Sequence, residues 1–252
     1  MAIYRIDNVE HSGIGQYGEV IWNFPEAYND AKDGDVLEIQ SNVIVDLSSY
    51  QPYYLNNFVA NNDCDLLFNL GKRITIKGTT GSGILGFFYA DDTSVALKDI
   101  AIGSQGYGSL FVNSTFEFDN VSFIKTSEDG SPSVELQGST GRINNCFFNK
   151  DYSMGSTSGL SVVNSKLEVI DTVFNSRIFL MNNAETTFNN CVQFVSGNKE
   201  CDFIGRESKV EFMNSAFLVP ENTEVGDKYY VYLQNCKFSM VNTTIKGSLH
   251  IE

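Results

Sequence analysis

The chain has 252 residues, 42% of them apolar, enough to bury a core and too many for a disordered tail. Thirty-one acidic against 17 basic residues leave a formal charge of −14, which repels phosphate backbones and anionic bilayers and argues against nucleic acid and membrane as partners.

The opening stretch, MAIYRIDNVEHSG, brings in charge at Arg5 and has no apolar run of the signal-peptide kind, and no segment reaches the roughly 18 apolar residues of a spanning helix. These features fit a cytoplasmic chain, or a secreted one whose signal has been removed. Further on, WNFPEAYNDAKDGD has capping-box spacing from Asn23 to Glu26, Pro25 in the first turn and Gly34 as a stop, and predicts a capping helix over 23–33. The expected organisation is an N-terminal segment and cap, 1–33, followed by one continuous domain, 34–252.

From there a unit repeats. Ten-residue windows starting at 72, 93, 114, 139, 165, 184, 208 and 236 align without a gap. Their third and fifth positions are apolar in nearly every copy, as in Ile74 and Ile76, Phe116 and Phe118, Leu167 and Val169, or Val210 and Phe212, which predicts a short strand with one buried face. The seventh position is Gly78, Asp99, Asn120, Asn145, Asp171, Asn190, Asn214 and Asn242, residues that tolerate a bend with positive φ. Three residues later a large apolar residue returns, as in Phe123, Phe148, Phe174 and Phe217.

A second turn column precedes each window: Gly71, Asp92, Asn113, Gly138, Asn164, Asn183, Glu207 and Asn235. Before it lies another strand, for example SLFV from Ser109 or VELQ from Val134. Strand, turn, strand, turn, strand recurs every 19 to 28 residues from Gly78 to Asn242, the period of a parallel β-solenoid. Coils about 4.8 Å apart would set Asn above Asn in a ladder. The predicted fold is all-β, a right-handed single-stranded parallel β-helix of about 8 to 10 coils with three strands per coil.

This pattern, with the lead-in GDVLEIQSNVIV from Gly34, resembles the right-handed parallel β-helix proteins of the pectate-lyase-like superfamily over about residues 20–250. That resemblance implies handedness and fold, and it spans lyases, hydrolases, epimerases, adhesins and inactive modules alike. It also implies that a groove, if there is one, follows the outward residues of the first strands. Read from the turn columns, one outward file holds Phe68, Tyr89, Leu110, Glu135, Ser161, Leu180, Ile204 and Tyr232; the other holds Leu70, Asp91, Val112, Gln137, Val163, Asn182, Arg206 and Gln234.

Neither file gathers the carboxylates of a calcium-dependent lyase or the acid cluster of a hydrolase. Asp91 and Glu135 are the nameable catalytic candidates, two coils apart. Phe68, Tyr89, Leu110, Leu180, Ile204 and Tyr232 form an apolar stripe suited to a sugar ring or a protein surface. Glu117, Arg142 and Glu168 stack as a charge ladder of the structural kind. The acid-rich loops at 61–65 and 127–131 lack EF-hand spacing, and the two histidines, His11 and His250, lie outside the repeat. Five cysteines without CxxC spacing predict neither metal nor disulfide framework, with Cys146 and Cys191 as core thiols two coils apart.

The expected function is a non-catalytic module that recognises a protein or a glycan, without a cofactor. The alternative is a polysaccharide lyase or glycoside hydrolase, with calcium if a lyase. KGSLHIE supplies one more strand and no polar cap, so the last coil offers an edge to a partner or a second copy.

Overall fold

The computed structural model describes residues 1–47, 66–68, 72–86, 88–104, 108–125, 132–150, 158–194, 201–218 and 229–252. The alternation read from the windows folds into three-stranded coils whose strands all pair in parallel along the rod. First strands make a 9-stranded sheet: Leu66–Phe68, Phe88–Asp91, Ser109–Val112, Val134–Gln137, Ser158–Val163, Arg177–Met181, Phe203–Arg206, Tyr229–Gln234 and Ser248–Ile251. Second and third strands join in a 17-stranded sheet folded along the Asn turn. In two coils they are one run, Ser94–Ser104 and Thr115–Lys125, bent at Asp99 and Asn120.

Asp99, Asn120, Asn145, Asp171, Asn190, Asn214 and Asn242 all have φ between 48° and 55°, the left-handed region that short amide and carboxyl side chains tolerate. Their side chains link successive coils: Asn120 Nδ2 donates to Asp99 Oδ1 at 2.9 Å, Asn190 to Asp171 at 2.6 Å and Asn242 to Asn214 at 3.2 Å. The first-turn file is left-handed too, from Asp92 through Asn113, Gly138, Asn164 and Asn183 to Glu207 and Asn235.

At several corners the residue after the turn has an amide N–H that the strand ladder does not serve, and a hydroxyl one coil on accepts it. Ser114 N donates to Ser139 Oγ, Ser139 N to Ser165 Oγ, Cys146 N to Thr172 Oγ1 and Cys191 N to Ser215 Oγ, at 2.9 to 3.3 Å. Cys146 and Cys191 flank Thr172 in this file. Burial pushes their thiols up to about 12 and about 11, so both stay protonated.

Inside the rod, apolar files stack ring on ring. Phe123, Phe148 and Phe174 lie with centroids 4.8 and 4.9 Å apart and near-parallel planes. The file is then interrupted by Gln193, in register with Phe174 and Phe217, buried, with its amide donating to the carbonyls of Ser176 and Asp202 at 3.1 and 2.8 Å.

The helix spans Phe24–Asp30, shorter than the predicted 23–33, because Ala31 turns back to extended backbone. Asn23 caps it, accepting from the Glu26 N–H at 3.3 Å, and Phe24, Pro25, Ala27 and Tyr28 are buried. Ahead of it, Ile3–Ile6 pairs in parallel with Val36–Ile39 as a rung of the rod. Asp35 ties this end together by accepting the Ala2 and Lys32 N–H groups, which hold its carboxyl below the usual range.

Two stability outcomes follow. Asn120→Val puts a β-branched side chain at φ 55°; it is expected to cost about 1–2 kcal/mol, read as a lower urea midpoint at unchanged slope, with Asn120→Gly milder. For Asp35 the folded carboxyl titrates below its ordinary 3.8, so its contribution is complete above that value and is lost as pH falls through the lower folded value. Asp35→Asn should therefore flatten the acid limb of a melting-temperature profile and leave its neutral part parallel to the parent.

Candidate functional site

The outward residues of the first strands make a continuous face. Pairing register places Leu67, Tyr89, Leu110, Glu135, Ser161, Phe179, Ile204, Tyr232 and His250 in one file. Beside it, Asp91, Val112, Gln137 and Val163 run to Met181, and Arg206 pairs with Gln234 further along. Of the predicted stripe, Tyr89, Leu110, Ile204 and Tyr232 hold their places, half-buried.

Phe68 and Leu180 do not. Phe68 is in register with Ala90, and Leu67 with Tyr89. Leu180 is fully buried between Val162 and Gly205, and Phe179 faces out instead. Both errors have one cause: between register-matched positions of the first and second strands, these two coils hold one residue more of sequence than the others. At the second of them Asn182 and Asn183 are both left-handed. Counting back from the turn then lands on the wrong face, since neighbouring strand residues point to opposite sides. For the same reason Asn182 belongs to the turn and Met181 to the strand. Leu70 and the loops at 61–65 and 127–131 lie outside the described residues.

Asp91 and Glu135 sit in different files, with the rung of Leu110 and Val112 between them. Glu135 accepts from Gln137 Nε2 at 2.7 Å, so its neighbour is an amide and not a second acid. Glu117, Arg142 and Glu168 do stack in successive coils. Arg142 reaches Glu168 at 3.5 Å, while Glu117 takes Lys98 at 2.8 Å. Around them a hollow of about 370 Å³ is lined by Lys166, Glu168, Glu185, Thr187, Lys209 and Glu211. It is bounded by alternating charges of the strand surface, with Lys209 compensating Glu211 at 3.1 Å.

The richest chemistry on the first-strand face was missed by the sequence reading. Ser248–Ile251 adds a rung that stacks His250 on Tyr232, rings 5.4 Å apart and 4° from parallel. Glu252 closes the cluster: one oxygen accepts from Tyr232 Oη at 2.7 Å and Gln234 Nε2 at 3.3 Å, and the other faces His250 Nε2 at 2.9 Å. A signal was present, since Leu249 and Ile251 alternate with His250 and Glu252 in SLHIE.

The hydrogen bonds from His250 and then Tyr232 hold the Glu252 carboxyl below its usual range. The same bond raises the Tyr232 phenol, because ionising it would set two anions in contact. General acid–base work needs a pKa near the working pH. Here the carboxylate is moved down and the phenol up, away from neutrality on both sides. Between these two groups the bond is one of fixed donor and acceptor, Tyr232 Oη to Glu252. Among the described residues no group of three or more His, Cys, Asp or Glu is placed to hold a metal ion.

In overall shape the chain is similar to the pectate lyase Pel9A, with a TM-score of 0.52 at 11% identity over 100% of this chain and 78% of that one. An alginate lyase from a Paenibacillus species gives 0.47 at 10% identity, over 90% of this chain and 93% of that one. PfbA, a surface adhesin of Streptococcus pneumoniae, gives 0.47 at 12%, over 88% and 81%. No protein-family model and no curated protein sequence matches. The fold is thus a parallel β-helix like that of this pectate lyase.

The Tyr232–Glu252 bond can be read from both ends. In Glu252→Gln the phenol is expected to titrate lower, back toward its ordinary 10.0, by ultraviolet difference spectra. In Tyr232→Phe the Glu252 carboxyl should titrate higher, by carbon NMR. Unmoved values in both variants would mean that the bond does not form in solution.

Proposed function

We propose that this chain is a non-catalytic β-helix module that holds a carbohydrate along its first-strand face. The observation that carries the reading is the composition of that face. Half-buried rings and aliphatics, Tyr89, Leu110, Phe179, Ile204, Tyr232 and His250, run beside a file in which planar polar groups, Gln137, Arg206, Gln234 and Glu252, alternate with Val112, Val163 and Met181. Sugar rings present apolar C–H faces edged by hydroxyls, and rings flanked by amides and carboxylates meet both.

In the cluster around Glu252, the Tyr232 phenol is raised and the Glu252 carboxyl lowered, away from the range where those two groups would transfer protons efficiently, which supports binding over turnover. The neighbours in shape include lyases and an adhesin, at identities that speak for fold alone.

The test is a paired one. A panel of acidic and neutral polysaccharides is assayed for bound protein and for released reducing or unsaturated ends. Saturable binding without turnover is expected, with Tyr232→Ala weakening it about tenfold or more. Sustained release of products by the parent chain would overturn the proposal in favour of a lyase or hydrolase.

A further inference from the structure

We propose that the first-strand face takes a neutral, hydroxyl-rich polysaccharide and rejects polyuronates, an inference that rests on the carbohydrate-binding reading above. The argument is an inventory of donors and acceptors. Among the described outward residues of the two files, the ionised groups are three carboxylates, Asp91, Glu135 and Glu252, against one guanidinium, Arg206. Carboxylates only accept, and the hydroxyls of a neutral sugar are the donors they need. The two amides, Gln137 and Gln234, each give an N–H to a neighbouring carboxylate, Glu135 and Glu252, which orients the amide plane along the face.

A polyuronate inverts these requirements. It carries an anion on every ring, so binding it takes a row of cations or a bridging metal. Arg206 alone answers to that in the files, two rungs or about 10 Å from Glu252 in the stacking direction. The formal charge of −14 adds a long-range field of the same sign. The hydrogen bonds from Tyr232 and His250 keep Glu252 ionised, hence an acceptor, well into the acid range.

The experiment uses the full chain in affinity electrophoresis and titration calorimetry against a β-glucan, a galactomannan, polygalacturonate and alginate, each at low and high salt, with and without calcium. The expected result is retention by a neutral polymer with affinity changing less than about twofold between the salts, as screening of an uncharged ligand requires. Glu252→Gln should weaken that binding about tenfold and Tyr232→Phe by a similar factor. Lys98→Ala, on the second-strand surface where it pairs with Glu117, should leave it within about twofold.

Tighter capture of either polyuronate, alone or with calcium, overturns the sugar class while the carbohydrate-binding reading stands. Retention by none of the four overturns that reading and the class with it. Tyr232→Phe keeps the ring and so the packing. A variant with parental circular dichroism and unchanged affinity also counts against the proposal.

Discussion

A chain that coils into a three-sided rod must turn at fixed places in every coil, and here two of the three corners turn through a left-handed residue. That requirement selects Asn, Asp and Gly, and stacking then multiplies its effect, because each corner lies directly on the one before. The amide side chains bond along the file, and the hydroxyls that follow accept the N–H groups that the corner leaves unserved. A buried backbone donor without an acceptor would cost more than most side-chain contacts return. The corners therefore decide where the sheets lie, and the Phe files fill the space between.

The turn columns, the paired apolar positions and the cap at Asn23 were legible from residue type and spacing alone, because each is enforced by local backbone geometry. Faces of the first strands were less so. Their assignment depended on counting between the first and second strands, and two coils hold an extra residue of sequence there that spacing does not announce. Gln193 was equally silent: it occupies a Phe position and is tolerated because two carbonyls meet its amide. The cluster of Tyr232, His250 and Glu252 comes from one coil stacking on the next. Tyr232 lies 20 residues before Glu252 and His250 two before it, a pairing that shows only once the last strand is counted as a rung of the repeat.

On this face the same interactions that order the side chains also set their chemistry. A carboxylate that accepts from a phenol and an amide and faces an imidazole is held in place by three partners and titrates below its usual range. A fold by itself does not dictate chemistry, which lives in the side chains it carries. What distinguishes this chain is the content of two files of side chains.

The doubled left-handed corner at Asn182 and Asn183 shows that a corner can swallow an additional residue while both flanking strands keep their places in the stack. Corners then behave as slack in the chain. Single-codon insertions there leave the hydrophobic interior untouched, so in such rods length at the edges can drift across generations independently of what each flat side displays.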